Sequence, residues 1–172
     1  MSEHNRVYTE LPIHPVPEVV RLRVDGASLA IGGLVARPRS LSAAELDGLP
    51  SRELAAPFAC EEGWTVPTLS WVGPRLADVV ALAEPLPGAA WVQAISDDYA
   101  VPIAWADCQE AVLATHLNGH RLSIEHGGPW RLVVLCGSCF TSVKWVQRLE
   151  VASEPGPQSG QAIALARLNR QA

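Results

Sequence analysis

Apolar residues in this chain come in short runs, and the spacing within each run indicates a strand or a brief helix. Val20 to Val24 and Leu29 to Val35 are β-branched runs separated by the turn signal Asp25-Gly26, a pattern that predicts a hairpin. Trp91 to Ile95 and Tyr99 to Ile103 predict a second pair of strands. Other predicted strands are Leu54 to Ala59, Arg131 to Leu135 and Val143 to Val151.

Helices are predicted where apolar residues recur at helical spacing or where a capping signal precedes them. Ser42 followed by Glu45 is a capping box, which opens a short helix that ends before Gly48. Arg75 to Leu82 has its apolar residues on one helical face, and Trp105 to His116 combines that spacing with good helix formers. A last short helix is predicted at Ala162 to Leu168.

The order of these elements predicts one α+β domain with mixed or antiparallel sheets and short helices. A chain of 172 residues is long enough for a single compact domain. The prolines near its start predict an extended arm over residues 1–19, because proline removes backbone donors. The segment Glu154 to Pro157 breaks regular structure, so we expect the domain to span residues 20–153 and a tail to span 154–172.

Composition and charge exclude several classes of partner. Hydrophobic residues make up 48% of the chain and charged residues 18%, a balance typical of globular proteins. The net charge is -5 and no Lys/Arg run occurs, so nucleic acid is not expected to bind. No stretch approaches the roughly 20 apolar residues of a membrane span, and Met1 to Glu10 lacks the apolar core of a secretory signal. We therefore expect a cytoplasmic protein without a membrane span.

The chain has four cysteines, too few for a disulfide scaffold at this length. Cys60 follows an apolar run, where a predicted strand meets a loop, and by itself such a cysteine is more often a small core residue. Cys136 and Cys139 form a C-x-x-C pair, but a zinc site would need a second pair at matching spacing. A thiol redox role and simple packing both stay open for this pair.

A Gly/Pro loop from His126 to Trp130 leads into the predicted strand that begins at Arg131. Glycines let the backbone approach a ligand closely, and an arginine offers paired donors to phosphate or carboxylate oxygens. Ser142 and Lys144 place two further donors on one side of a predicted strand. Taken singly, such an arginine or lysine is often only solvated, so the local pattern leaves both interpretations open.

In their order and spacing, these segments resemble the molybdopterin-binding domain of the sulfite oxidase family, which includes the catalytic subunit of the protein-methionine-sulfoxide reductase. The resemblance runs from about Leu29 to Val151, and each motif is weak alone whereas the ordered set is specific. The matching segments are Ile31-Gly32-Gly33-Leu34-Val35 with Pro38, Leu41-Ser42 with Leu46, Cys60 with Gly63-Trp64, Trp71-Val72-Gly73 with Leu76, Ser96-Asp97-Asp98-Tyr99, Leu113-Ala114 with Asn118-Gly119 and Leu122, His126-Gly127 with Pro129 and Arg131, and Val143-Lys144-Trp145-Val146.

The resemblance implies a sulfite-oxidase-type molybdopterin-binding fold and a molybdenum-molybdopterin cofactor (Mo-pterin). Cys60 matches the family's cysteine whose thiolate is the protein ligand to the metal, and molybdenum takes soft sulfur donors. Arg131, Ser142 and Lys144 match positions that hold the pterin phosphate, and Val143 lies between the last two in the same cofactor-binding segment.

Three further positions of this sequence match the family's site. His126 falls at a loop position that is His in sulfite oxidases and Asn in the reductase. Ser96 falls where the family offers backbone contacts to the cofactor. Tyr99 is predicted as a catalytic donor near the metal, beside the ligand Cys60.

Departures from the family pattern bear on the substrate. Sulfite oxidases carry arginines just after the cysteine, whereas this chain has Glu61 and Glu62, which would repel a sulfite dianion. The family's proline after the strand is replaced by Leu135. The chain therefore resembles the methionine-sulfoxide reductase subunit more closely than true sulfite oxidase.

The implied activity is a two-electron oxygen-atom transfer between water and a small sulfur or nitrogen oxide. Such a reaction implies a small-molecule substrate and allows for a redox partner protein. Two alternatives stay open at this point. The chain binds the cofactor without catalysis and hands it on, or it is a thiol protein built around Cys136 and Cys139 that works without metal.

Overall fold

The computed structural model describes residues 6–60, 63–134 and 139–171, with side chains up to Ala166. Most of its regular elements in these ranges are short strands. The strands are β1 (Arg6–Val7), β2 (Ser28–Gly33), β3 (Arg39–Ser42), β4 (Ser51–Cys60), β5 (Trp64–Pro74), β6 (Trp91–Ser96), β7 (Tyr99–Ala104), β8 (Val112–Ala114), β9 (His116–Leu117), β10 (His120–Arg121), β11 (Arg131–Val133) and β12 (Arg148–Ala152). The helices are α1 (Glu18–Arg23), α2 (Ala43–Asp47), α3 (Leu76–Ala81) and α4 (Ser159–Gln171), with 3-10 turns at Asp107–Gln109 and Cys139–Thr141.

Within the described residues, the strands form two five-stranded sheets and one two-stranded sheet. The order in the first sheet is β3-β2-β12-β6-β7, in which β12 runs parallel to β2 and antiparallel to β6. The order in the second is β1-β5-β9-β10, and β4 forms a long antiparallel hairpin with β5. The third sheet is the antiparallel pair β11-β8. This mixed pairing confirms the predicted α+β class.

Two groups of buried apolar side chains hold the layers together. The larger group packs the first sheet against α2 and α3, and Leu29, Val79 and Leu149 are fully buried within it. The smaller group lies along the β4-β5 hairpin around Phe58 and Trp71. Because a fully buried aliphatic or aromatic side chain contributes roughly 1.5–3 kcal/mol, these groups supply the main driving force for folding.

Several predicted elements are confirmed at or close to their predicted bounds. The Ser42 side chain accepts from the backbone N–H of Glu45 and the Glu45 carboxylate accepts from the backbone N–H of Ser42, so the capping box opens α2 as expected. The predicted helix at 75–82 is α3, and the predicted strands at 91–95 and 99–103 are β6 and β7. The hairpin strand β4 ends at Cys60, where the sequence predicts that a strand meets a loop.

A hairpin is predicted on either side of Asp25-Gly26, and the prediction of its first strand is wrong. Residues 18–23 form α1, and the turn connects this helix to β2. Pro17 precedes the helix, Glu18 lies in its first turn and two arginines lie in its last, which suits the helix dipole at both ends. Only one of its valines, Val20, is buried, so the β-branched run does not supply an alternating buried face.

The helix predicted over Trp105 to His116 is also wrong. A 3-10 turn at Asp107–Gln109 is followed by β8, which lies between the two apolar groups. Leu113 packs in the larger group, whereas Val112 and Ala114 pack in the smaller one. A strand buried on both faces shows no alternation of polar and apolar residues, so tertiary burial overrides the local helix propensity.

The strand predicted at Val143 to Val151 begins later than expected, because β12 covers only Arg148–Ala152. Trp145 has a φ angle of 53°, in the left-handed region, which interrupts an extended run. The expectation that Ser142 and Lys144 share one side of a strand is therefore wrong.

The predicted helix at the end of the chain is confirmed as α4 and is longer than expected. Its start packs on β7, and a Cβ added at Gly160 would lie 2.7 Å from both the Tyr99 ring and the Val101 side chain. This close approach places the start of α4 beside Tyr99, the first residue of β7. Of the helices in the described ranges, none is long and apolar enough to cross a membrane.

Gly73 marks the point where β5 lies directly against β8. A Cβ built on this residue would overlap the backbone carbonyl of Leu113 and approach the Cα of Ala114 to 2.8 Å. The two backbones therefore meet at a distance that only glycine permits. The residue belongs to the Trp71-Val72-Gly73 segment, so its place in that motif has a packing reason.

We predict that Gly73→Ala destabilises the fold by about 1–3 kcal/mol, because the added methyl has to push two backbones apart. Gly48→Ala is a matched control, since Gly48 has a right-handed helical conformation and its added Cβ would meet only ordinary contacts at 3.4 and 3.5 Å. The control should change the free energy of unfolding by less than about 1 kcal/mol. Chemical denaturation measures the free energy of unfolding of both variants. Equal losses of stability would contradict the close approach of β5 to β8 at Gly73.

Candidate functional site

A cavity of about 460 Å³ opens between the end of β4, the β6-β7 turn, the start of β11 and the segment after Cys139. This volume lies in the usual range of small-molecule sites, which is roughly 300–1,000 Å³. Six of the eight residues predicted for the site line it. They are Cys60, Ser96, Tyr99, Arg131, Ser142 and Lys144.

Cys60 is the last residue of β4, where it pairs with Trp64 across the hairpin. Its side chain is half-buried and lines the cavity. Phe58 lies two residues earlier on the same strand and therefore on the same face. Phe58 also lines the cavity, so this face of the hairpin presents a thiol beside an aromatic ring.

Arg131 is the first residue of β11, and only 5% of it is exposed. Its guanidinium lies over two aromatic rings, 5.4 Å from the centre of Phe58 and 5.1 Å from the centre of Trp71. One terminal nitrogen donates to the backbone carbonyl of His126 at 3.3 Å. Cation-π contacts of this kind orient the guanidinium, because the faces of the rings are negative.

The buried charge of Arg131 has no carboxylate partner among the described residues. Burial lowers its pKa to about 10, and the nearby Cys139, Tyr99 and Cys60 act in the opposite direction. Its Nε atom is buried and has no hydrogen-bond partner among the described residues. A desolvated cation with a spare donor is costly unless an anion compensates it, so this part of the cavity favours an anionic ligand.

Ser142 and Lys144 lie on the segment that follows the turn at 139–141. The Ser142 hydroxyl is buried at the cavity wall, and within the part of the chain that the structure describes its oxygen has no hydrogen-bond partner. Lys144 is the only lysine in the sequence, and its Nζ donates to the backbone carbonyl of Glu125 at 2.9 Å. The loop comes this close because Gly127 has a φ angle of 107° and a Cβ there would lie 2.9 Å from the Lys144 side chain.

Val143 and His126 are the two predicted site residues that do not line the cavity. Val143 is buried in the larger apolar group, and its carbonyl accepts from the backbone N–H of Leu132 at 2.9 Å. This anchor holds the neighbouring Ser142 and Lys144 at the cavity wall. The two ring nitrogens of His126 lie 3.3 Å from the Ser123 hydroxyl and 3.3 Å from the carbonyl of Leu11.

Ser96 and Tyr99 bracket the tight turn between β6 and β7. The Ser96 hydroxyl accepts from Arg23 at 3.4 Å, and Arg23 also forms a salt bridge of 2.7 Å with Asp97. The Tyr99 hydroxyl donates to the carbonyl of Phe140 at 2.7 Å. Tyr99 thus lies in the cavity wall and fixes the segment that follows Cys139.

The sequence did not predict two features of the cavity. The arm contributes a wall, because residues 11–17 run without regular structure along the cavity and Leu11, Pro12 and His14 line it. Cys139 lies beside Cys60, with their two sulfur atoms 2.8 Å apart. No local signal pairs residues 79 positions apart, whereas the two prolines did indicate an extended arm. Glu61, Glu62, Leu135 and Cys136 lie outside the described residues.

Comparisons with known proteins agree with this geometry. Residues 14–160 match the family described as oxidoreductase molybdopterin binding domain. The sulfite oxidase of Arabidopsis thaliana is 28% identical over 178 aligned positions, which cover 81% of this chain and 45% of that protein. The NADPH nitrate reductase of Aspergillus niger is 32% identical over 98 positions, which cover 51% of this chain and 11% of that protein.

A solved structure is similar to this fold. The crystal structure of the sulfane dehydrogenase SoxCD from Paracoccus pantotrophus superposes with a TM-score of 0.69 at 26% sequence identity, covering 75% of this chain and 39% of that one. The chain therefore belongs to the oxidoreductase molybdopterin binding domain family. It spans less than half the length of each of these relatives.

The residues present in the cavity fit the cofactor that defines this family, as the sequence predicts. A soft thiol donor at Cys60 suits molybdenum, and the unsatisfied donors of Arg131 and Ser142 suit a phosphate. Two chemically different ends of one ligand thus find complementary groups in one cavity.

We predict that Arg131→Met raises the stability of the cofactor-free protein, because methionine fills the space between two aromatic rings without a buried charge. The gain should be roughly 1 kcal/mol or more in the free energy of unfolding. Arg148→Met is the control, since Arg148 is half-exposed on β12 in a surface ion pair with Glu150 and should change stability by about 0.5 kcal/mol or less. A strong loss of stability in Arg131→Met, measured by denaturation, would refute this account.

Proposed function

We propose that this chain is the molybdenum-pterin domain of an oxidoreductase that transfers an oxygen atom to or from a small sulfur or nitrogen oxide, with Cys60 as ligand to the metal. One observation carries the proposal. The Cys60 thiol, the buried Arg131 and the buried Ser142 hydroxyl line a single cavity, and two of these groups have polar atoms that no described residue satisfies.

Different residues of the chain bind different parts of the cofactor. Cys60 supplies a thiolate to the metal from the last position of β4. Arg131, Ser142 and Lys144 supply charged and neutral donors to the phosphate, each charge-assisted bond being worth roughly 1.5–3 kcal/mol. When bound, the cofactor supplies two-electron redox chemistry, and the protein supplies position and electrostatics.

The remaining predicted residues form the cavity wall or hold the binding residues in position. Ser96 and Tyr99 form part of the cavity wall, and His126 attaches the arm to the Gly/Pro loop through the Leu11 carbonyl. Val143 holds the phosphate-binding segment through its buried side chain. For Tyr99 to donate to a substrate, its hydroxyl has to leave the Phe140 carbonyl, so its catalytic part requires a small rearrangement.

The charge around the cavity bears on the class of substrate. Asp97 and Asp98 line the cavity, and Glu61 and Glu62 follow Cys60 in the sequence. A carboxylate that lines the cavity, as that of Asp98 does, disfavours a dianion such as sulfite through like-charge repulsion, whereas the charge of Asp97 is paired with Arg23. We therefore propose a neutral oxide, such as a sulfoxide, ahead of an oxyanion, with a redox partner protein exchanging the electrons.

The experiment that tests the proposal is production of the chain in a host that makes the cofactor. The purified protein is expected to contain about one molybdenum atom per chain and to reduce a neutral sulfoxide with an artificial electron donor. Molybdenum without turnover of any sulfur or nitrogen oxide would favour a cofactor carrier. Absence of molybdenum and pterin would refute the proposal.

We predict that Cys60→Ser abolishes turnover, because a hydroxyl is a harder and more basic ligand than a thiol. The visible thiolate-to-molybdenum absorption should disappear while pterin is retained. Cys108→Ser is the matched control, since Cys108 is buried away from the cavity and burial raises its pKa to about 12. Unchanged activity in Cys60→Ser would show that Cys60 is not the ligand.

We predict that the double variant Arg131→Ala with Lys144→Ala purifies largely free of pterin, because both charged donors to the phosphate are lost. Pterin content is read by fluorescence after oxidative release, which does not depend on activity. The control is Arg52→Ala with Arg148→Ala, which removes the same charge from exposed surface ion pairs. If the two double variants retain equal pterin, the phosphate-binding residues are misassigned.

A further inference from the structure

Cys139 lies against the proposed metal ligand, and neither the fold nor the proposed reaction requires a second thiol there. The sulfur atoms of Cys60 and Cys139 are 2.8 Å apart, which is within hydrogen-bonding distance for sulfur and not far above the disulfide bond length of about 2.05 Å. Both cysteines line the same cavity. The contact joins the end of β4 to the 3-10 turn at Cys139–Thr141.

We infer that Cys60 and Cys139 form a dithiol site that is oxidised to a disulfide when the cavity holds no cofactor. Because the proposed metal ligand is the Cys60 thiolate, this disulfide and the loaded cofactor exclude one another. Only this mutual exclusion of disulfide and cofactor rests on the proposed function. Disulfide formation itself depends on the two sulfur positions alone.

The surroundings of the pair favour this chemistry. The guanidinium of Arg131 lies near enough to both cysteines to interact with them electrostatically, so both sulfur atoms lie beside the same buried charge. Tyr99 fixes the segment after Cys139 through the Phe140 carbonyl, so the second sulfur is held in place. Neither cysteine is fully buried, so a small reagent can reach the sulfur atoms through the cavity.

The oxidant is a small disulfide, and the exchange balances without another reactant. One cysteine thiolate attacks the reagent, whose sulfur-sulfur bond breaks to give a mixed disulfide and one released thiol. The second cysteine displaces the remaining half of the reagent as it forms the bond between Cys60 and Cys139. Two protein thiols are oxidised, and their protons end on the two thiols released from the reagent.

The sequence indicates a competing pair, because Cys136 and Cys139 form a C-x-x-C motif. The contact with Cys60 gives Cys139 a different partner. A disulfide between Cys136 and Cys139 would leave the proposed metal ligand reduced, whereas one between Cys60 and Cys139 would remove it. The two pairings therefore have opposite consequences for cofactor loading.

The test uses the full chain produced without cofactor and treated with oxidised glutathione. Wild type, Cys108→Ser and Cys136→Ser are expected to lose two hydrogen masses and two titratable thiols, with peptides containing residues 60 and 139 linked. Cys139→Ser is expected to carry glutathione on Cys60 instead. Peptides linked through Cys136 and Cys139, or only glutathione adducts in the wild type, would overturn the inference.

A second measurement connects the pair to the cofactor. The chain is produced with cofactor synthesis in a reducing cytoplasm and in a strain whose cytoplasm forms disulfides. Wild type should lose most of its molybdenum in the second strain, whereas Cys139→Ser should keep it. If the wild type contains equal molybdenum in both strains, the inference that the disulfide excludes the cofactor is overturned. Absence of molybdenum in both, with the linked peptides present, would instead refute the proposed function and leave the dithiol site standing.

Discussion

The site depends on one buried charge, the guanidinium of Arg131. It lies over the rings of Phe58 and Trp71 and donates to one backbone carbonyl, and no carboxylate among the described residues neutralises it. A buried cation in this position is costly because it is removed from water, and burial lowers its pKa. An anionic ligand in the cavity would compensate this charge, and the Cys60 and Cys139 sulfurs lie near enough to interact with it electrostatically.

Close backbone contacts bring the groups of the site to that charge. Gly73 lets β5 lie against β8, and this places Trp71 of β5 next to Arg131 of β11, the partner of β8. Gly127 lets the Gly/Pro loop lie against Lys144 in the same way. A methyl group at either glycine would push apart the elements that position Arg131 and Lys144, so both glycines help to determine the geometry of the cavity.

Features encoded by neighbouring residues could be predicted from the sequence, such as the capping box of α2 and the strand that ends at Cys60. The ordered motifs also identified the family and its cofactor, which the match over residues 14–160 confirms. Features that depend on distant partners could not be predicted. β8 is a strand because both of its faces are buried, and Cys139 meets Cys60 because the 3-10 turn at Cys139–Thr141 contacts β4.

The cavity brings together two donor sets that rarely suit the same ligand. Cys60 offers a soft sulfur at the end of β4, whereas Ser142 and Arg131 offer hydrogen-bond donors to an anion. A ligand with a soft metal at one end and a phosphate at the other would satisfy both sets. Since such a ligand would bind the folded chain alone, it would stabilise the fold by an amount that grows with the logarithm of its affinity.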